Sequence, residues 1–222
     1  MLPAAALEDH RGMLALICIC LGSAPTFAQP TNNDYYKGAG TELLRNVEKY
    51  HLGLATDKLR SRSYESGFGD IGFMLAYFPN HPRALMLLIE LCEQWKSPRC
   101  DLREAFENAI AVNPDAATTY ALQGIYLSRT KRLPAAVTSL EKAVKLDPDS
   151  LNAHYNLGLV YFETKQFELA NAHAQRAYQL GASVPGLRDK LKRAGQWKPI
   201  DTPMPDAASP IGSDSQASPA PR

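Results

Sequence analysis

The amino-acid sequence predicts an all-α protein, and three observations support that prediction. Hydrophobic residues make up 45% and charged residues 21% of the 222 residues, a balance typical of a chain that folds around a buried core. Between about residues 41 and 195, apolar side chains recur every three or four residues, which is the spacing of an amphipathic helix. No segment alternates apolar and polar residues over the length of a strand.

The predicted helices are separated by short segments rich in residues that end and begin helices. Prolines mark three of these breaks, namely Pro79, Pro114 and Pro148. Asp115 and Ser150 follow two of the breaks, where an N-cap side chain would accept hydrogen bonds from the first free amides of the next helix. Pro82 and Pro134 stand where a proline in the first helical turn costs no hydrogen bond.

The charge and hydropathy of the chain argue against two classes of protein. Twenty-four Lys and Arg residues against 23 Asp and Glu residues leave a net charge of +1. A dedicated nucleic-acid-binding protein needs a basic excess to engage phosphates, so we expect no nucleic-acid partner. No apolar run reaches the roughly 18 residues of a membrane-spanning helix, so we expect no transmembrane span.

The first 28 residues have the pattern of a secretory signal peptide. Arg11 precedes an apolar run over residues 13–21. Thr26 and Ala28 supply the small residues that signal peptidase reads before the cut. We therefore expect cleavage after Ala28 and a periplasmic or secreted protein. The alternative is a cytosolic protein that keeps an apolar leader.

Cysteine usage agrees with export. Cys18 and Cys20 would leave with the signal peptide, and the mature chain would keep only Cys92 and Cys100. In an oxidising compartment such an even pair normally forms a structural disulfide. A zinc site would need further ligands, and a redox-active pair is more typically Cys-x-x-Cys, so we expect neither.

The helix breaks recur with a nearly fixed period. Pro79 to Pro114 spans 35 residues and Pro114 to Pro148 spans 34, which is a period typical of helical repeats. Aligning residues 117–150 with 151–184 places small residues over small residues at the eighth, twentieth and twenty-seventh positions. The pairs are Gly124 with Gly158, Ala136 with Ala170, and Ala143 with Ala177. Small side chains at these positions allow antiparallel helices to approach closely.

This pattern resembles the tetratricopeptide repeat. Residues 152–161 are similar to the first helix of that repeat, and residues 143–148 are similar to the end of its second helix. The resemblance implies a right-handed α-solenoid of about four helix-turn-helix repeats followed by a C-terminal capping helix. Such a cap covers the last apolar face of a solenoid.

The domain organisation follows from these repeats. Two upstream repeats keep key residues of the family in register: Phe106, Ala109 and Pro114 in the second, and Ala55, Tyr64 and Pro79 in the first. We predict a signal peptide over 1–28, a mobile leader over 29–40, a repeat domain over 41–195, and a disordered Pro-, Ser- and Ala-rich tail over 196–222. Within the repeat domain, the repeats are at 48–81, 82–116, 117–150 and 151–184, and the cap is at 185–195.

The resemblance implies a function as well as a fold. Tetratricopeptide arrays bind peptides or helices in a concave groove lined by their first helices. In this chain the groove residues would be Arg83, Met86, Leu87, Glu90, Thr118, Leu122, Ile125, Arg129, Asn152, Tyr155, Asn156, Leu159, Phe162 and Glu163. We expect a non-catalytic scaffold that binds a peptide or helix of a partner protein in cell-envelope assembly or secretion. The alternative is a structural envelope protein that self-associates.

Two patterns in the sequence could indicate other chemistry, but neither has the context that such chemistry requires. The run 67–72 matches the glycine spacing of a dinucleotide-binding loop, but the residues before it have a helical pattern where that loop requires a strand. His154 and His173 fall within one predicted hairpin without a third ligand nearby. No Ser or Cys stands beside a His and an Asp in a recognisable catalytic motif. We therefore expect no enzymatic activity, no metal and no cofactor.

Overall fold

The computed structural model describes residues 33–198, which form helices joined by turns. In chain order the helices are α1 (Glu42–Val47), α2 (Gly53–Arg60), α3 (Tyr64–Tyr77), α4 (Pro82–Trp95), α5 (Arg103–Val112), α6 (Ala117–Arg129), α7 (Leu133–Leu146), α8 (Leu151–Glu163), α9 (Phe167–Gln179) and α10 (Gly186–Arg193). A π-helical stretch (Glu48–Leu52) joins α1 to α2, and a 3₁₀ turn (Pro98–Cys100) precedes α5. No strand occurs within residues 33–198, which confirms the all-α prediction.

Three pairs of successive helices pack as hairpins within a stack of helices. α2 pairs with α3, α6 with α7, and α8 with α9. The hairpins are joined by packing of α3 on α4 and of α7 on α8, while α6 also packs against α4 and α8. α10 packs against both α8 and α9, the place that the first helix of a further repeat would take. This is the predicted solenoid with a C-terminal cap.

Small residues at the repeat positions set the distance between helices. The alanines at the twentieth and twenty-seventh positions are all fully buried, namely Ala136, Ala143, Ala170 and Ala177. A Cβ atom on Gly124 would lie 2.4 Å from Leu140 Cγ, and one on Gly158 would lie 2.7 Å from Leu187 Cδ2. Because neither distance leaves room for a methyl group, both glycines are required by the packing.

The same turn ends α6 and α8. Lys131 and Lys165 both adopt a left-handed conformation with φ of 62°. In each turn the next amide donates to a carbonyl oxygen of the last helical turn, at 2.8 and 2.9 Å, which satisfies a carbonyl that the helix leaves free. The turn thus recurs one repeat apart in the chain.

One of the two predicted N-caps is present. Ser150 accepts a hydrogen bond from the Ala153 amide at 3.4 Å, as predicted. The prediction for Asp115 is wrong, because Ala116 holds the N-cap position of α6 and the Asp115 amide instead donates to Asn113 Oδ1 at 3.1 Å. The prolines predicted in the first turns of α4 and α7 are both in place.

Residues 33–40 differ from the sequence prediction of a mobile leader. Asp34 is buried and accepts hydrogen bonds from the side-chain amides of Asn80 (2.7 Å) and Asn113 (2.9 Å). The Tyr35 amide donates to Asn80 Oδ1 at 2.8 Å. Since a buried carboxylate is costly without such partners, these bonds hold the segment against the loops that precede α4 and α6.

Residues 196–198, which the sequence analysis assigned to the tail, contact the repeat region. The Lys198 amide donates to Asn171 Oδ1 (3.0 Å), and the Lys198 carbonyl accepts from Gln175 Nε2 (2.6 Å), so residues 196–198 pack on α9. The other predictions on the chain ends lie outside the described residues: the signal peptide over 1–28, the leader over 29–32 and the tail over 199–222. Within residues 33–198, no helix has the length and apolar character needed to cross a membrane.

Candidate functional site

The residues predicted to line a groove lie on α4, α6 and α8. The exposed ones are Arg83, Thr118, Arg129, Asn152 and Glu163. The half-buried ones are Met86, Glu90, Ile125, Tyr155, Asn156, Leu159 and Phe162. We call the surface formed by these two sets the first-helix face.

Leu87 and Leu122 do not belong to this surface, and their assignment to the groove is wrong. Leu87 is 7% exposed and Leu122 is 5% exposed, and both belong to the apolar core shared by the helices up to α6. At these two positions the side chains pack inward, so a partner could not reach them without local opening.

Ion pairs run along one edge of the first-helix face and connect successive hairpins. Arg129 Nη1 lies 2.7 Å from Glu93 Oε2, which joins α6 to α4. Lys131 Nζ lies 3.0 Å from Glu163 Oε2, which joins the end of α6 to α8. Pairs at this exposure contribute about 0–1 kcal/mol each, so a partner's charged group could compete for either side chain.

The predicted capping helix, α10, occupies the C-terminal end of the face and contacts two of the residues predicted to line the groove. The Tyr155 hydroxyl accepts a hydrogen bond from the Leu187 amide at 3.2 Å. The Phe162 ring contacts the Phe167 ring, and Lys190 Nζ lies 5.9 Å from the centre of the Phe162 ring. Tyr155 and Phe162 therefore hold α10 in place as well as bordering the surface.

The middle of the first-helix face combines apolar and polar groups. Met86 on α4 and Ile125 on α6 are half-buried and rest on the core. Asn156 Nδ2 donates to the Asn152 carbonyl oxygen at 2.8 Å, and its Oδ1 can accept a hydrogen bond from a peptide backbone N–H. Exposed Arg83 adds a charged donor on α4. This combination suits an extended or helical segment with both apolar and polar side chains.

A disulfide joins Cys92 at the end of α4 to Cys100, with the two Cα atoms 5.4 Å apart. The loop it closes is also held by α6. The Tyr126 hydroxyl donates to the Cys100 carbonyl oxygen at 3.2 Å and accepts from the Leu102 amide at 3.0 Å. The link therefore fixes the end of α4, next to the ion pair of Glu93, against the next hairpin.

His154 and His173 form a buried pair between α8 and α9. Their Nδ1 atoms lie 2.9 Å apart, and His154 Nε2 lies 3.0 Å from the Pro148 carbonyl oxygen. Because a carbonyl only accepts, His154 Nε2 carries a proton and His154 Nδ1 accepts from His173 Nδ1–H, which leaves both rings neutral. Burial lowers the pKa of both rings, and burial together with the neighbouring His154 lowers the pKa of His173 to about 4. Residues 33–198 contain no group of three or more His, Cys, Asp or Glu side chains that could hold a metal ion.

A third buried histidine, His81, caps α4. His81 Nδ1 accepts from the Ala84 amide at 3.3 Å, and His81 Nε2 lies 3.2 Å from Glu48 Oε1 in the π-helical stretch. Burial lowers the pKa of His81, and the Glu48 carboxylate opposes that effect. No local sequence pattern indicates this contact, because Glu48 and His81 are 33 residues apart in the chain.

The glycine run over 67–72 lies inside α3 and does not form a phosphate-binding loop. It follows α2 rather than a strand, which removes the context that dinucleotide binding needs. A Cβ atom on Gly67 would lie 3.1 Å from Leu91 Cδ1, so this glycine serves close packing between helices, like the alanines at the same repeat position downstream.

Two family models match the C-terminal part of the repeat region. A TPR repeat model matches residues 129–165, and a tetratricopeptide repeat model matches residues 151–180. Residues 129–180 therefore match models of the tetratricopeptide repeat. The matched residues run from the end of α6 through α9, where the sequence resemblance to the repeat is strongest.

Other proteins match parts of this chain in sequence or in structure. Anaphase-promoting complex subunit 3 of Schizosaccharomyces pombe is 28% identical over 102 residues, which are 46% of this chain and 15% of that protein, so the chain spans a small part of this relative. The structure of Pseudomonas aeruginosa pilF superimposes with a TM-score of 0.55 and 20% identity, over 70% of this chain and 72% of that one. PilW, a widely conserved type IV pilus biogenesis factor, gives a TM-score of 0.55 and 22% identity, over 71% and 72%. At these identities the two structures establish the solenoid fold alone.

The buried histidine pair predicts that stability falls in mild acid. The unfolded chain binds a proton at His173 near pH 6.5, whereas the folded chain binds it only near pH 4. The contribution of neutral His173 to the free energy of unfolding is therefore complete above pH 6.5 and is lost as the pH falls towards 4. We expect this contribution to be about 2 kcal/mol smaller at pH 5 than at pH 7.5. Urea unfolding at the two pH values measures this.

The test variant is His173→Gln, whose side chain cannot titrate. The difference in unfolding free energy between the two pH values should be smaller in His173→Gln than in the wild-type protein. An undiminished difference in His173→Gln would contradict the assignment.

Proposed function

We propose that this protein is a non-catalytic scaffold that binds a peptide or helical segment of a partner protein along the first-helix face. One observation carries the proposal. Side chains from three successive first helices, Arg83 and Met86 on α4, Ile125 on α6, and Asn152 and Asn156 on α8, reach solvent on a surface built by the repeat stacking. Contacts drawn from several repeats allow a solenoid to bind an extended segment.

The chemistry of the face favours a segment with mixed side chains. The half-buried apolar residues offer contact area, and the Asn side chains offer donors and acceptors for a peptide backbone. The ion pairs of Arg129 and Glu163 border the first-helix face. An acidic group of the partner would compete for Arg129, and a basic group would compete for Glu163. We expect recognition of such a segment rather than of a strongly charged tail.

We also propose that the protein acts in the cell envelope, as a periplasmic or secreted component of an assembly or secretion system. The signal-peptide pattern over 1–28 and the Cys92–Cys100 disulfide both favour an oxidising compartment outside the cytoplasm. The fold similarity to PilW is consistent with this setting.

Variants on the first-helix face test the binding proposal. Arg83→Glu combined with Asn152→Arg places reversed or bulky charges on two exposed positions of the face, so folding should be retained. We expect the amount of partner that copurifies from native cells, measured by quantitative mass spectrometry, to fall about tenfold, because a like charge or a blocked backbone contact costs about 1–3 kcal/mol.

Lys145→Glu combined with Glu107→Arg is the matched control, because it makes similar changes at exposed positions of the second helices α7 and α5. Unchanged copurification in the first-helix variant, or an equal loss in the control, would contradict the proposal.

Intact mass tests the proposed compartment. The natively expressed protein should lack residues 1–28, and its mass should rise on alkylation only after reduction, because Cys92 and Cys100 are joined. A full-length chain whose thiols react without reduction would place the protein in a reducing compartment and overturn the envelope assignment.

Self-association is the second candidate function, and it is favoured by the apolar surface that the first hairpin exposes. That surface is separate from the first-helix face.

A further inference from the structure

Exposed apolar side chains are concentrated at the N-terminal end of the stack. Within residues 33–198, the large hydrophobic residues that remain exposed are Tyr36, Leu43, Tyr50, Leu54, Phe73, Tyr77 and Val184. All but Val184 belong to the first hairpin or to the segment before it. We call the surface of Leu43, Tyr50, Leu54, Phe73 and Tyr77 the N-terminal end face.

The repeat alignment explains why this face is apolar. Tyr50 and Leu54 occupy the third and seventh positions of the first repeat. The residues at the same positions of the second and fourth repeats are fully or almost fully buried, namely Ala84, Leu88, Ala153 and Leu157. Those side chains lie in the apolar clusters that the stacked helices share, whereas Tyr50 is 57% exposed and Leu54 is 51% exposed. Tyr50 and Leu54 thus stand at packing positions that no other helix among residues 33–198 covers.

The α3 side of the same hairpin extends this surface. The Phe73 ring stacks on the His51 ring with centres 4.1 Å apart, and the Tyr77 ring lies 4.9 Å from Phe73. The two helices thus present adjoining aromatic and aliphatic groups. Isolated apolar side chains are ordinary on a protein surface, but a contiguous set of this kind is typical of an interaction site.

The charged residues beside this face are arranged so that those of one copy would pair with those of a second copy. Gly53 is exposed, and a Cβ atom there would meet nothing within 4 Å. Lys49 and Asp57, both exposed, lie four residues before and four residues after it on the same side of the helix. If two copies crossed antiparallel at Gly53, Lys49 of each copy would lie opposite Asp57 of the other, and the absent side chain would let the backbones approach.

We propose that a second copy of this chain docks on the N-terminal end face, with the α1–α2 helices antiparallel and crossing at Gly53. A two-fold interface must be complementary to itself, which the placement of Lys49 and Asp57 about Gly53 satisfies. In the single chain Asp57 pairs with Arg60 at 3.5 Å, but that pair is exposed and weak, so it does not prevent a contact with Lys49 of the other copy. The proposal is independent of partner binding at the first-helix face.

Sedimentation equilibrium of the purified full chain tests the surface. The wild-type protein should show a concentration-dependent monomer–dimer equilibrium. Leu54→Glu should weaken the dimer at least about tenfold, because the change places two carboxylates in the interface. Val184→Glu is the matched control, since Val184 is 52% exposed at the other end of the stack, and it should leave the dimer unchanged.

Charge reversal tests the antiparallel register. Lys49→Asp alone and Asp57→Lys alone should each weaken the dimer, because like charges then face each other across the interface. An equimolar mixture of the two variants should form a heterodimer, since both pairs again join opposite charges. Circular dichroism of each variant checks that the monomer remains folded.

Three results would overturn the proposal. They are a monomer at every accessible concentration, a dimer that resists Leu54→Glu, and single reversals that weaken the dimer without recovery in the mixture. A monomer at every concentration would indicate that the face binds a different protein. A dimer that resists Leu54→Glu would show that the dimer contact lies elsewhere on the surface.

Discussion

The whole stack depends on the close approach of adjacent helices at a few positions without a side chain. The absence of a side chain at Gly124 leaves space for Leu140 between α6 and α7, and its absence at Gly158 leaves space for Leu187 between α8 and the cap. Both leucines are fully buried as a result. A single hairpin cannot bury its own apolar face, so each hairpin of a solenoid gains stability from its neighbours. Once the helices lie at this distance, α4, α6 and α8 align and present one continuous surface.

The two ends of the described stack differ in whether their apolar residues are covered. The uncovered end carries the N-terminal end face, which is separate from the first-helix face. At the C-terminal end, α10 buries Leu187 and Leu191 and turns Lys192 and Arg193 outward. At the N-terminal end, residues at positions that are buried downstream face solvent instead. Two copies joined there would offer two first-helix faces to one partner assembly, and such bivalency raises the strength of binding without any new contact.

The features that could be predicted from the sequence are those set by residues close together in the chain. The features that could not be predicted depend on contacts between residues far apart in the chain. The period, the small repeat positions and the capping helix all follow from residues close in the chain. The carboxylate of Asp34 meets Asn80 and Asn113, which are 46 and 79 residues away, so no local pattern could show that residues 33–40 are held. Within the candidate site, repeat position alone could not reveal that Leu122 packs inward or that Tyr155 binds the cap.

The free energy of unfolding of Gly124→Ala, measured beside that of Gly72→Ala, tests the central claim most directly. Both changes add one methyl group inside a helix, but a Cβ atom at Gly124 would collide with Leu140, whereas one at Gly72 would meet nothing within 4 Å. We expect Gly124→Ala to lower stability by about 1–3 kcal/mol and Gly72→Ala to raise it by about 0.5–1 kcal/mol through helix propensity. Equal stabilisation by both substitutions would show that the stack does not depend on close approach at Gly124.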